Sequence, residues 1–440
     1  MMMLQRLSAR SALLLQPRSP RFHTLGLDES LVSALATQGI ATPSQVQREA
    51  VPMVLDPARP DVVIGAETGS GKTLTYVLPL LQRLRAYPHP MTAIRKPIAV
   101  IMVPNQELVK QIERVVQSLD PEVPLACLTK THAIPRRTPV LVGTPKAILQ
   151  HASAKDLVSV EMIVVDEADM LLGGGFERDT KQVLGVIRNQ ALVDPASNEY
   201  IPGFHRDNDS TEPVGLASYP RQTIFAAISF PRHLHLAVSE YLKRKFPDAV
   251  YAITDQFHRT LSTLDQTFLH LKTSDRAERE QRLLEILAAD NESSGSVLIF
   301  VDSVASAKAL EEFLLASNIP CRALHKEVAR DERSDVLAAM TTGRQVVVAT
   351  DIAARGLDTR DVDHVIQFEF ATNVVTHIHR IGRTARGGAT GKVTNFIGRE
   401  NELVYKEIKA AGADGALTKG FSRRRSLRKK FKKATNDQAI

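Results

Sequence analysis

Cysteine is scarce: the 440-residue chain holds only Cys127 and Cys321. Two isolated cysteines exclude a disulfide framework and the paired spacing of a zinc site, and read as reduced, packed thiols. Long apolar runs are also missing. No stretch approaches the roughly 18 to 20 apolar residues that cross a bilayer, so neither a spanning helix nor a membrane partner is expected. Acid is absent from the start of the chain, where no Asp or Glu precedes Asp28. What is present, 43% hydrophobic and 24% charged residues, is the composition of a folded protein with room for two domains.

The net charge of +7 is unevenly placed. Residues 1–21 carry Arg6, Arg10, Arg18 and Arg21, and residues 423–440 carry +7, which leaves the body from 22 to 422 at −4. On a helix, Arg6 and Arg10 share one face while Met3, Leu7 and Leu14 line another, and Pro17 ends the pattern. Arginine and serine without acid form the pattern of an organellar transit peptide, which predicts mitochondrial import with a chloroplast as the alternative. At the other end, RRRSLRKKFKK repels itself until a polyanion neutralises it, so the tail 413–440 reads as an anchor for a polyanion. A nuclear address is the rival reading of that run.

Between the ends, short apolar runs alternate with helical patterns. Those in the first half are 62–64, 98–103, 139–142, 162–165 and 223–227. The second half has 267–271, 296–301, 321–325, 345–350, 364–368 and 392–397. Continuous β-branched runs between helices predict parallel strands covered on both faces. Two such sets predict an α/β protein of two doubly wound lobes, at 22–252 and 267–412, joined by a polar linker at 253–266. The stretch 190–220, rich in Asn, Asp, Pro and Gly, reads as an inserted surface loop.

Ligands of such sheets sit beyond the carboxyl ends of the strands, and the residues placed there carry chemistry. After the first run comes GAETGSGKT. Its Ala66, Glu67, Thr68, Gly69, Ser70 and Gly71 form a loop whose backbone N–H groups can wrap phosphates, at the positive start of a helix. Lys72 reaches the outer phosphates of ATP and the Thr73 hydroxyl suits Mg²⁺. The run at 162–165 ends in Asp166, a further Mg²⁺ ligand, with Glu167 beside it to orient and deprotonate the attacking water. In the second half Arg380, Arg383 and Arg386 recur every three residues, which predicts one face turned to an anion such as a transferring phosphoryl group. For His379 and Arg380 a lobe-stabilising network and a catalytic role are both open.

With these residues in hand, the chain resembles the DEAD-box RNA helicases over about residues 20–412. The literal Asp-Glu-Ala-Asp at 166–169, the phosphate loop, ATDIAARGLD and HRIGRTAR stand in that family's order. The resemblance implies two tandem RecA-like lobes, ATP and Mg²⁺ as cofactors, and remodelling of RNA by a monomer. It implies that Gln47 reads the adenine and Phe22 stacks on it, that Arg383 and Arg386 are arginine fingers, and that Asp358 contacts ribose. It makes Glu167 a metal neighbour as well as the base. Pro104, Thr144, Arg333, Thr350 and Arg355 fall where the family touches RNA.

The departures lie on the RNA side. Where the family has Pro-Thr-Arg-Glu-Leu, residues 104–108 read Pro-Asn-Gln-Glu-Leu, and its Thr-Pro-Gly-Arg is Thr-Pro-Lys-Ala at 144–147. Its Ser-Ala-Thr appears as Ala227-Ile228-Ser229. Asp169 is expected to need a hydroxyl partner from that strand end, and Ala227 offers none. The expected activity is an RNA-dependent ATPase acting on structured RNA such as ribosomal RNA, with unwinding limited to short duplexes. An ATP-gated RNA clamp and a DNA translocase on the same lobes are the rivals.

Overall fold

The computed structural model describes residues 21–128, 134–135, 137–173, 175–189, 221–228, 235–254, 263–272, 275–290, 295–354, 362–385 and 389–413. The inserted stretch 190–220, both termini, Ser229, Arg355, Asp358 and Arg386 lie outside them.

Two parallel sheets organise the described residues. The first contains β1 (Val62–Gly65), β2 (Ala99–Met102), β3 (Leu125–Leu128), β4 (Val140–Gly143), β5 (Met162–Asp166), β6 (Gln222–Ala227) and β7 (Val250–Ile253), in the order β3-β4-β2-β5-β6-β1-β7. The second contains β8 (Leu264–His270), β9 (Ser296–Val301), β10 (Arg322–Leu324), β11 (Val346–Thr350), β12 (Val362–Gln367) and β13 (Gly391–Ile397), in the order β10-β11-β9-β12-β13-β8. Every pairing is parallel.

Alternate residues of each central strand enter cores on opposite faces, which is why these strands read as unbroken apolar runs. Met162 and Val164 join the core under the helix Lys72–Arg85, while Ile163 and Val165 join the core under the helix Glu177–Arg188. In the second lobe Val297 and Ile299 face one way and Leu298 and Phe300 the other. Both cysteines are half-buried, and burial pushes their thiols up to about 12 and about 11, so neither is a reactive thiolate.

The linker is shorter than the sequence predicts. Ile253 ends β7, Thr254 donates its backbone N–H to Gly65, and β8 already begins at Leu264. Both ends of the polar stretch at 253–266 therefore belong to sheets. Strands β3 and β7 were not expected either. They are the two edge strands of the first sheet, Leu-Ala-Cys-Leu and Val-Tyr-Ala-Ile, apolar in sequence but only partly buried, and so short a run does not by itself separate a strand from a helical segment.

Candidate nucleotide site and lobe interface

Strands β1, β5 and β6 lie side by side, and their carboxyl ends deliver Gly65, Asp166 and Ala227 to one edge of the sheet. The chain then turns through the phosphate loop, where Gly69 and Gly71 take φ of 77° and 84°. Only glycine adopts that conformation freely, and at Gly71 a Cβ would also lie 2.3 Å from Gln47 Nε2. Ala66 is buried at the loop's start and its N–H donates to the Ala227 carbonyl at 3.2 Å.

Gln47 is bound into this loop. It completes a capping box, accepting from the Ser44 backbone N–H at 2.9 Å, and its Nε2 donates to the Gly71 carbonyl at 3.1 Å. The Ser44 hydroxyl donates to the Ser70 carbonyl at 2.7 Å. Both ends of the Gln47 amide are engaged, so reading a base would require it to release one of them. Phe22 is 1% exposed and packs in the core of the first lobe; its ring does not present a stacking face.

Lys72 Nζ donates to the carbonyls of Ala66 and Glu67 at 2.8 and 2.6 Å. Burial lowers its pKa to about 8, against the pull of Asp166, Glu67, Asp169 and Glu167. Burial likewise raises Asp166 to about 6, although it accepts from Tyr76 Oη at 2.7 Å and from the Glu167 N–H at 2.9 Å. The Tyr76 side chain is completely buried, and burial beside Asp166 raises its pKa well above the ordinary tyrosine value. Glu167 adopts φ 51°, ψ 48°, a left-handed conformation uncommon outside glycine, and its buried Oε2 has no hydrogen-bond partner among the described residues. Glu67 is held apart from the metal side, accepting from the Thr254 hydroxyl at 2.9 Å.

The second lobe faces this edge. His379 Nε2 lies 3.2 Å from Asp169 Oδ2, and both residues are buried. A Cβ on Gly382 would fall 2.4 Å from Thr68 Oγ1, so the end of the helix Val374–Ile381 rests on the phosphate loop. Arg383 is 4% exposed and donates Nε to the His379 carbonyl at 3.1 Å. Arg380 turns away from it. It makes two bonds to Asp351 at 2.6 and 2.9 Å and one to Asp302 at 2.7 Å, and it lies over the Phe300 ring. The expectation of three arginines on one anion is corrected: Arg380 is a structural cation of its own lobe, since its donors are already committed.

Ser229, the hydroxyl nearest the strand end expected to partner Asp169, lies outside the described residues, and Ala227 is buried with no side-chain polar atom. Asp169 accepts from the Met170 N–H at 3.1 Å through Oδ1 and meets His379 of the other lobe through Oδ2. On the RNA side, Pro104 and Thr144 follow the neighbouring strands β2 and β4, and Thr144 caps its helix by accepting from the Ala147 N–H at 3.2 Å. Arg333 reaches back to the first lobe, where Nη1 meets Glu107 Oε1 at 3.2 Å. Thr350 ends β11 and is 7% exposed. Among the described residues no group of three or more His, Cys, Asp and Glu is placed to hold a metal by itself.

A phosphate loop, a strand-end carboxylate pair and an arginine-bearing helix laid against them from a second sheet define a nucleotide-driven two-lobe motor. Residues 44–201 match the family model for the DEAD/DEAH box helicase domain, and 278–388 match the helicase conserved C-terminal domain. The rice DEAD-box ATP-dependent RNA helicase 22 is 30% identical, covering 94% of this chain and 84% of its own length. Helicase 39 of Arabidopsis thaliana is 29% identical, covering 89% of this chain, which spans 60% of that relative. Yeast Dbp5 bound to RNA and ADP BeF3 shares the fold, with a TM-score of 0.72 at 23% identity over 90% of this chain and 94% of that one. Mss116p bound to ssRNA and AMP-PNP gives 0.73 at 20% identity over 90% of this chain and 79% of that one. The chain belongs to the DEAD-box ATP-dependent RNA helicases.

Proposed function

We propose that the chain is an RNA-stimulated ATPase that remodels structured RNA by local strand separation. The observation that carries this reading is the junction of the two lobes over the phosphate loop, through Asp169–His379 and Gly382–Thr68. Hydrolysis groups on one lobe are thereby joined to a helix of the other. Thr73 and Asp166 would hold Mg²⁺ together with ATP phosphates and water, the mixed shell that this ion prefers. The unpartnered Glu167 Oε2 supports that fit, because a buried carboxylate oxygen without a donor is costly unless a cation or water meets it. When bound, the ion neutralises charge on the phosphates. Lys72 binds the outer phosphates, Glu167 orients the attacking water and takes its proton, and Arg383 stabilises charge on the transferring group.

RNA is the expected partner, with Pro104, Thr144, Thr350, Arg333 and Arg355 along its path and the basic tail as an anchor. Mitochondria are the setting favoured by the acid-free, arginine-bearing N-terminus, and ribosomal RNA is proposed as the substrate from the family resemblance alone. One observation favours an ATP-gated clamp as a second reading: Ala227 lacks the hydroxyl that would tie the strand end to Asp169.

Glu167→Gln tests the chemistry. It keeps the side-chain size and removes the proton acceptor, so nucleotide binding is expected to survive while turnover falls about 100-fold or more. Parent-rate turnover in that variant would remove Glu167 from the mechanism. Measured beside it, RNA is expected to stimulate the parent more than DNA of the same sequence.

A further inference from the structure

The Tyr76 hydroxyl is unusual among buried polar groups of the first lobe. Its ring is completely buried within the helix Lys72–Arg85, between residues that belong to the apolar core. Its oxygen nevertheless points at a carboxylate on the metal side of the nucleotide site. It donates to Asp166 Oδ2 at 2.7 Å, across 90 positions of sequence. Asp166 Oδ1 accepts independently from the Glu167 N–H at 2.9 Å. A phenol from the helix and a backbone N–H from the strand end thus hold the two carboxylate oxygens and restrict the rotation of Asp166.

We propose that Tyr76 is a positioning residue for the divalent cation: its hydroxyl sets the orientation of Asp166 before the ion arrives. Mg²⁺ demands a near-octahedral shell at about 2.0–2.1 Å and dehydrates reluctantly, so ligands fixed in advance raise its affinity. The geometry suits that role. Tyr76 is rigid because its ring is completely buried, and its oxygen bonds the side chain of Asp166 from the helix that follows the phosphate loop. The inference rests on the reading of Thr73 and Asp166 as the metal-holding pair.

Tyr76→Phe in the full chain tests it, because the ring stays and only the oxygen is removed. Binding of a fluorescent ADP is followed against Mg²⁺ concentration, with an EDTA series and a thermal melt on the same preparations. Removing a group that orients a metal ligand typically lowers metal affinity by about 10-fold or more. The half-saturating Mg²⁺ concentration is therefore expected to rise about 10-fold, with metal-free ADP binding unaltered. Saturating Mg²⁺ is expected to restore most of the ATPase rate, which a folding defect would not allow. Asp166→Asn run in parallel separates the two levels of inference. If Asp166→Asn shifts the Mg²⁺ dependence and Tyr76→Phe does not, the role of Tyr76 is overturned alone. If neither shifts it, the metal pair itself is wrong. An ATPase loss in Tyr76→Phe that no Mg²⁺ concentration restores also overturns the proposal.

Discussion

Asp166 and Lys72 are displaced in opposite directions by the same cause. Burial raises the carboxyl to about 6 and lowers the ammonium to about 8. In each the neutral form is favoured, so without nucleotide the site holds charges at a cost that function imposes. A carboxyl whose folded pKa exceeds its unfolded value binds its proton more tightly when folded. Stability therefore falls as pH rises from about 4 to about 6, and stays lower above that. At about 1.36 kcal/mol per unit the penalty is on the order of 3 kcal/mol. Asp166→Asn is then expected to melt a few degrees higher than the parent at pH 7.5 in EDTA, with hydrolysis lost. At pH 5, where the parent carboxyl is already protonated, that gain is expected to shrink. Scanning fluorimetry at the two pH values decides it, and a gain of equal size at pH 5 would contradict the assignment. The phosphate loop and both acids were legible in the sequence because their signal is local spacing after an apolar run. Tyr76 was not, since its partner Asp166 is remote in sequence and the residue itself looks like core. Gln47 was found, but not the grip of its amide on Gly71, which only the folded loop brings about.

At the scale of elements, the central strands of both sheets and the edge strands β8 and β10 were readable, whereas β3 and β7 at the edges of the first sheet were not. A strand covered on both faces is apolar along most of its length, as in β5 and β9, whereas β7 leaves Tyr251 and Ile253 exposed. The helix Val374–Ile381 illustrates the limit of periodicity. Three-residue spacing put Arg380 and Arg383 on one face, yet Arg380 is drawn to Asp351 and Asp302, because paired carboxylates outweigh alignment with a neighbour. The contact that this helix end makes with the phosphate loop is testable at Gly382, whose φ of −70° any residue tolerates. A Cβ there meets no backbone strain but falls 2.4 Å from Thr68 Oγ1 and 3.0 Å from Thr68 Cβ, so rotating the threonine does not clear it. Gly382→Ala is expected to leave both lobes folded, with a melt within a degree or two of the parent. RNA-stimulated ATPase is expected to fall at least 10-fold, because the lobes can no longer meet over the phosphate loop. Full stimulation in Gly382→Ala would mean that this apposition is not the active one.

For the molecule as a whole, the question is how nucleotide and RNA sense each other. The two lobes meet through Asp169–His379 beside the nucleotide and Glu107–Arg333 toward the RNA side. Asp169 is 5% exposed, and a carboxylate at that depth is costly without donors. The Met170 N–H donates to Asp169 Oδ1 at 3.1 Å, the Ala227 side chain offers no hydroxyl, and His379 meets Oδ2 from the other lobe, a contact made only when the lobes are together. Such an arrangement joins closure to hydrolysis but ties the first lobe's own RNA-facing strands only weakly to the nucleotide. The parent chain is therefore expected to hydrolyse ATP in response to RNA while separating only short duplexes. Converting Ala227, Ile228 and Ser229 to Ser, Ala and Thr is expected to add a hydroxyl donor for Asp169 within its own lobe, beside the Met170 N–H. Strand separation per ATP is expected to rise more than hydrolysis itself. The same change is expected to soften the effect of His379→Ala, since two side-chain donors then share one carboxylate and their losses cease to add. The four proteins of this cycle, assayed for ATPase and for displacement of a short and a long duplex, decide the matter. Efficient separation of long duplexes by the parent would sink the idea. Strict additivity across the cycle would show that Ala227 and His379 do not act on the same carboxylate.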